Sequence, residues 1–252
     1  MSAQNMPERN AIFRRTELML GEEMLDALAR TRVAIFGLGG VGSWCAESLV
    51  RTGVRRLMLV DPDRICLTNV NRQLMATTET AGQVKVVALA ERLREINPAV
   101  DLDVRPCIYD ASTAAEFDLS QWDYVIDAID SLESKAQLIR HALSVPTVTL
   151  FASMGAALKM DPSQIRRSAF KKVEGDGLAR ALRQKFRRTG GLPARPFTCV
   201  WSPERRENLG PVEMGPRING SVVHTTAIFG FTLAGLVVAD VERRVRNNGE
   251  KR

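Results

Sequence analysis

Asp61, Arg72 and Lys85 fall within one short stretch, and their combination is the chemistry to account for. Asp61-Pro62-Asp63 leads into Asn69-Val70-Asn71-Arg72-Gln73, and Lys85 opens the next amphipathic segment. A carboxylate at Asp61 can accept both hydroxyls of a ribose. Two cations beside it suit a triphosphate, because they neutralise its charge and stabilise the charge that develops on a departing pyrophosphate. Hydride transfer has no such need. Upstream lies Gly37-Leu38-Gly39-Gly40-Val41-Gly42, where glycines permit a tight turn and let backbone N–H groups approach a phosphate. Alone, that loop and Asp61 fit a nicotinamide dehydrogenase equally well, or simple helix–strand packing. Downstream, Asp127-Ala128-Ile129-Asp130-Ser131 adds two carboxylates to the candidate nucleotide site. Asp130 is the candidate metal ligand, able to hold Mg²⁺ against phosphates. Its competing role is to cap the following helix, which Ser131 can also do.

These residues must converge on one edge, and the hydrophobic pattern predicts how. Short apolar β-branched runs at 32–36 and 56–60 read as buried strands, the second ending at Asp61. Further strands are expected near 101–105, 123–127 and 146–151. Helical periodicity covers 16–29, 41–51, 85–96 and 133–143, and the third of these stops at Asn97-Pro98. Residues 62–80 read as loop. Strands alternating with helices predict an α/β, Rossmann-like, doubly wound and mostly parallel sheet. In such a sheet the carboxyl ends of the strands face the ligand crevice.

The chain of 252 residues is 45% hydrophobic and 25% charged, ordinary globular values that exclude wholesale disorder. Four cysteines stand singly, which excludes a disulfide scaffold and argues against a four-cysteine zinc site. Reduced thiols and the lack of a visible secretory signal point to the cytoplasm. The pattern changes after Gly155. Between Lys159 and Arg206 thirteen Lys/Arg face four Asp/Glu, a net +9 that leaves −3 for the rest of a chain totalling +6. Such a limb, about 159–216, reads either as a solvated surface loop or as a polyanion-binding surface. Phe170, Phe186, Phe197 and Trp201 interleave with its cations, either to stack on bases or to anchor the limb to the core. Repeated glycines and prolines break it up, and no long period is evident. The apolar run 221–241 is long enough to raise membrane association. A buried helix over about 220–246 is the preferred reading, within a single domain spanning 1–252.

Four ordered pieces carry a resemblance: GLGGVGS, LVDPDRICLTNVNRQ, the lysine of GQVKV, and VIDAIDS. Over roughly 15–155 the chain resembles the ubiquitin-activating-type (ThiF/MoeB/HesA-like) adenylating superfamily. The resemblance implies ATP bound by Gly39, Asp61, Asn69, Arg72 and Lys85, with Asp130 as the magnesium-associated acid. It also implies a homodimer in which an N-terminal arginine, Arg15 or the adjacent Arg14, reaches the neighbouring subunit's phosphates. GVGSWCAESLVRTGV, REINP, SLESKAQLI, DPSQI and TCVWSPE are closer to one branch, the tRNA threonylcarbamoyladenosine dehydratases. That branch implies ATP-dependent cyclisation of N6-threonylcarbamoyladenosine at position 37 of tRNA, through an acyl-adenylate. The alternative is an adenylyltransferase for a ubiquitin-like sulfur carrier; a silent membrane-anchored nucleotide scaffold is a third class. The basic limb and the missing zinc cysteines favour tRNA. Cys199 reads first as a buried apolar thiol. A monovalent cation (K⁺ or Na⁺) and docking of a cysteine desulfurase or sulfur acceptor stay open.

Overall fold

Aliphatic runs with few polar interruptions build the strands β1 (Arg32–Phe36), β2 (Arg56–Val60), β3 (Asp101–Arg105), β4 (Tyr124–Asp127) and β5 (Thr149–Ser153), joined by β6 (Arg166–Ala169) and β7 (Thr198–Trp201). The computed structural model describes residues 9–211 and 218–249. The strands lie in the order β3-β2-β1-β4-β5-β7-β6. Every pairing is parallel except β6 with β7. The chain winds outward from β1 to β3, then restarts at β4 on the other side of β1. That reversal opens a crevice at the carboxyl ends of β1 and β4.

Alternation along the strands sorts the core into two layers. Val33, Ile35, Leu57, Leu59 and Ile126 pack under the helices α3 (Gly42–Thr52), α4 (Lys85–Ile96) and α7 (Val223–Gly249). Ala34, Phe36, Met58, Val60 and Val125 pack under α5 (Leu132–Ser144) and α6 (Gly177–Arg188). The expected doubly wound sheet is thus present. The expected helix at 16–29 is two helices, α1 (Arg9–Leu20) and α2 (Glu22–Arg30). They break at Gly21, whose φ of +82° lies in the left-handed region that glycine tolerates.

The basic limb is not a loop. Its two strands complete the sheet and α6 covers them, so the expectation of no period fails at 177–188. There Ala179, Leu182 and Phe186 recur on one buried stripe. Asp176 caps the helix, accepting from the Ala179 N–H at 2.8 Å. The four limb aromatics are buried, which overturns base stacking as their role and leaves anchoring. Phe170 stacks on Phe197 at 5.0 Å between centroids, and Trp201 Nε1 donates to Ser168 Oγ at 2.9 Å.

The apolar C-terminal run is explained by packing. Phe229, Leu233, Val237 and Val241 form a buried stripe on α7. Gly230 lets α7 lie against α3, since a Cβ there would stand 2.4 Å from the Val41 carbonyl oxygen. Most of the run is buried in protein, and membrane association through it has no support.

Candidate active site

The glycine loop leaves β1 with Gly37 at φ +86°. A Cβ at Gly37 would come within 2.7 Å of the Ala128 carbonyl carbon and oxygen, so this turn and the one after β4 require each other. Ala128 N–H also donates to the Phe36 carbonyl at 2.8 Å. At Gly42 a Cβ would meet the Gly37 carbonyl oxygen at 1.9 Å, which fixes the tight entry into α3.

Asp61 sits at the carboxyl end of β2 and is only 5% exposed. One oxygen accepts the Leu38 N–H at 2.7 Å and the other accepts the Asp63 N–H at 2.9 Å. Lys85, the first residue of α4, places Nζ 2.7 Å from Asp63 Oδ2 and 3.9 Å from Asp61 Oδ1. Burial raises the Asp61 carboxyl above the usual range, while Lys85 and the two N–H donors pull it down. Asp61 therefore ties the glycine loop to Lys85 through a single carboxylate.

The Asn69–Gln73 segment folds over the glycine loop. The Arg72 stem lies 3.2 Å from where a Gly40 Cβ would be, and the Gln73 amide nitrogen lies 3.8 Å from the Gly39 position. Trp44 Nε1 on α3 holds this segment by donating to the Arg72 carbonyl at 3.0 Å. The Arg72 guanidinium donates to the Thr68 carbonyl and to Asn71 Oδ1, each at 2.9 Å. Gln73 is buried, and its Oε1 has no partner among the described residues. Such an orphan acceptor beside the glycine loop suits a ligand donor or an ordered water. Asn69 and Asn71 are occupied locally: Asn69 accepts from the Cys66 N–H and Asn71 donates to the Ser221 carbonyl.

The two carboxylates after β4 have different fates. Asp130 is exposed and unpaired among the described residues, on the turn that abuts Gly37. Asp127 is fully buried and ion-paired to Lys135 of α5 at 2.9 Å. It accepts the Ile129 N–H, while Lys135 Nζ also donates to the Ile129 carbonyl at 2.9 Å. Asp127 thus braces the turn from beneath and offers no exposed oxygen to a nucleotide. Among the described residues no three His, Cys, Asp or Glu converge into a metal cage. A lone exposed carboxylate does fit Mg²⁺, which commonly takes one or two carboxylates and completes its shell with phosphates and water.

Arg15 is exposed on α1, outside the contacts just described, whereas Arg14 reaches Glu17 at 3.4 Å. Cys199 is buried on β7, and burial pushes its thiol far up, away from nucleophilic thiolate chemistry. Sequence reasoning missed Lys135, Trp44 and Thr226. Only Lys135 left a signal, a cation inside the apolar stripe formed by Leu138, Ile139 and Ala142. Thr226 belongs to α7 and approaches the Gly40 position within 3.1 Å.

The assembled edge, with its glycine turn, the buried Asp61 beside Lys85 and the Asn69–Gln73 segment folded over the turn, is that of a nucleotide-binding α/β protein. Residues 13–174 match the ThiF family model, and the chain belongs to that family. It is 41% identical over 178 residues to the tRNA threonylcarbamoyladenosine dehydratase of Bacillus subtilis, covering 71% of this chain and 70% of that one. Identity to the Haemophilus influenzae tRNA threonylcarbamoyladenosine dehydratase is 36% over 233 residues, 84% and 87% of the two chains. The crystal structure of the Escherichia coli tRNA N6-threonylcarbamoyladenosine dehydratase in complex with ATP matches with a TM-score of 0.83 at 31% identity. That match covers 96% of this chain and 97% of the other.

Proposed function

We propose that this protein is an ATP-dependent tRNA threonylcarbamoyladenosine dehydratase, cyclising the modified adenosine at position 37. The observation that carries this reading is the likeness to dehydratases across both halves of the chain, with 36% identity over 84% of it. The limb is included in that likeness, and the crevice geometry supplies the chemistry.

The threonylcarbamoyl group ends in a carboxylate, a poor electrophile. One carboxylate oxygen attacks the α-phosphorus of ATP, the bond to the bridging oxygen breaks, and pyrophosphate leaves. Lys85 and Arg72 neutralise the charge that grows on the leaving group, each contributing about 3 kcal/mol. Asp61 holds the ribose and sets the nucleotide against the Gly39 backbone. Asp130 would hold Mg²⁺, which would supply further charge neutralisation. The neighbouring carbamoyl group then attacks the activated carbonyl, loses a proton and expels AMP. That closure is intramolecular and needs little help, since effective molarities can reach roughly 10⁵ M. Buried Cys199 takes no part.

Within the one domain, 15–155 binds ATP and the limb binds tRNA. Arg167, Lys171, Lys172, Arg180, Arg187 and Arg188 are exposed and unpaired among the described residues, available for phosphates. The enzyme works as a homodimer. Leu18 and Met19, 68% and 84% exposed on the helix that carries Arg15, are the apolar surface a second copy covers. Docked there, Arg15 serves the neighbouring site.

Pyrophosphate exchange tests the reading. Threonylcarbamoyl tRNA should stimulate exchange and a ubiquitin-like sulfur carrier should not. Stimulation by the carrier alone would replace the dehydratase with a sulfur-carrier adenylyltransferase. In cells lacking the protein, the cyclic nucleoside should disappear and the open carboxylate form accumulate.

A further inference from the structure

Lys159 is a buried cation that the adenylation chemistry does not use, 8% exposed at the carboxyl edge of the sheet. Its Nζ donates to the Ser202 carbonyl at 3.0 Å and to the Glu204 carbonyl. Its own carbonyl accepts from Thr225 Oγ1 of α7 at 3.3 Å. Around it, Glu204 Oε2 accepts the N–H groups of Met160 and Asp161 at 2.8 and 2.9 Å, and His224 Nε2 donates to the Met160 carbonyl at 2.8 Å. Leu158, in the left-handed region at φ +57°, donates to the Gly220 carbonyl at 2.9 Å. A non-glycine residue persists there only when its surroundings over-determine it. Three stretches are therefore fastened at one point: 158–161, the Ser202–Arg206 strap and the start of α7. The start of α7 itself touches the glycine loop through Thr226 and Gly40.

We propose that Lys159 is a positioning residue for the RNA side of the crevice. It fixes the Ser202–Arg206 strap, with exposed Arg205 and Arg206, beside the loop that holds the phosphates. This rests on the proposed dehydratase activity. Lys159 contacts loops at the crevice rather than the limb's core, which Phe170, Phe186, Phe197 and Trp201 secure independently. Losing the lysine should therefore loosen the strap without unfolding the limb.

The test measures Lys159→Met and Lys159→Gln against wild type in the full chain. The readouts are calorimetric ATP binding, threonylcarbamoyl-tRNA binding by anisotropy, and steady-state cyclisation. The expected result is a KM and Kd for tRNA raised about tenfold, with ATP affinity and kcat changed less than about twofold. ATP and tRNA affinity falling together, or neither moving, overturns the positioning role. If Lys159→Met does not fold, Lys159→Gln decides by the same criterion. Wild-type turnover with unaltered variants refutes the positioning role and leaves the dehydratase reading standing. Wild-type protein that neither binds nor cyclises modified tRNA refutes both.

Discussion

Lys135→Met tests how the nucleotide turn is held. Lys135 and Asp127 are both fully buried and 2.9 Å apart. At an effective dielectric near 20 their bare attraction is about 6 kcal/mol. Desolvation of both groups offsets most of it, so the intact pair is worth little net. Removing only the lysine is different. An uncompensated carboxylate stays buried, and the expected loss is about 3–5 kcal/mol, a large part of a domain's total stability. Adding Asp127→Asn removes the stranded charge and keeps an acceptor for the Ile129 N–H. The double variant should therefore recover most of the loss, leaving about 1–2 kcal/mol for the unpaired Ile129 carbonyl.

Urea unfolding at several pH values measures these terms, and the sign of the pH dependence is fixed. Burial already raises the Asp127 carboxyl in the fold, against the pull of Lys135. Without the lysine it rises further. A carboxyl raised in the folded state costs stability above its unfolded value and loses that cost as the pH falls. The Lys135→Met deficit should therefore shrink by about 1.4 kcal/mol per pH unit on descending from the variant's folded value to the wild-type folded value, and level off below it. A deficit independent of pH, or a double variant worse than the single one, would refute the account of a charge pair bracing the turn.

Gly37→Ala forces a left-handed backbone and a Cβ into the Ala128 peptide, so ATP binding by calorimetry should be lost together with about 2 kcal/mol or more of stability. Arg72→Met and Lys85→Met should each lower kcat/KM for cyclisation by about 10²–10³, measured as nucleoside conversion with saturating tRNA. Cys199→Ser should keep full cyclisation while lowering stability by about 1–3 kcal/mol, since a hydroxyl replaces an apolar thiol in a dry site; loss of turnover in folded protein would implicate the thiol. Charge reversal at Arg187 and Arg188 should weaken tRNA binding and flatten its salt dependence by about one unit of slope per lost phosphate contact, leaving ATP affinity intact.

Much of the ATP half was legible because each piece announces itself locally. The glycine run marks a strand-to-helix turn, Asp61 ends a β-branched run, and Lys85 begins an amphipathic one. The fold then brings Gly37 against Ala128, and Arg72 against Gly40, through contacts that no local pattern encodes. Asp127 shows the limit of that method. By spacing alone it stands as close to the ligand edge as Asp130, three residues on. The pleat decides otherwise, because Asp127 is the last paired residue of β4 and points into the layer that holds α5, where Lys135 meets it. Asp130 lies beyond the strand and is released to solvent. The break at Gly21 was invisible for a similar reason, since apolar periodicity continues across it on both sides.

The basic limb teaches the opposite lesson, that a charge count overstates a binding surface. Of its thirteen cations, Lys159 is buried on carbonyls, Arg166 lies over the Trp201 ring, and Arg183 lies over the Phe170 ring and donates to the Val173 carbonyl. Lys185 pairs with Glu133, Arg206 pairs with Glu204, and Arg195 and Arg205 donate to backbone carbonyls. These seven hold the limb together, although exposed Arg205 and Arg206 each commit only Nε to that role and keep their terminal nitrogens for a phosphate. On α6, where 3.6 residues make a turn, Arg180, Arg187 and Arg188 fall on the side opposite buried Ala179, Leu182 and Phe186. Lys171 and Lys172 occupy the short turn at Phe170–Lys172, and Arg183 clasps that turn to α6. The same element that buries the aromatics therefore turns its remaining cations outward beside one another. The outward cations of α6 run from Arg180 to Arg188, about 12 Å along the helix at its rise per residue. The helix is capped by Asp176, whose second oxygen accepts the Gly155 N–H at 3.1 Å.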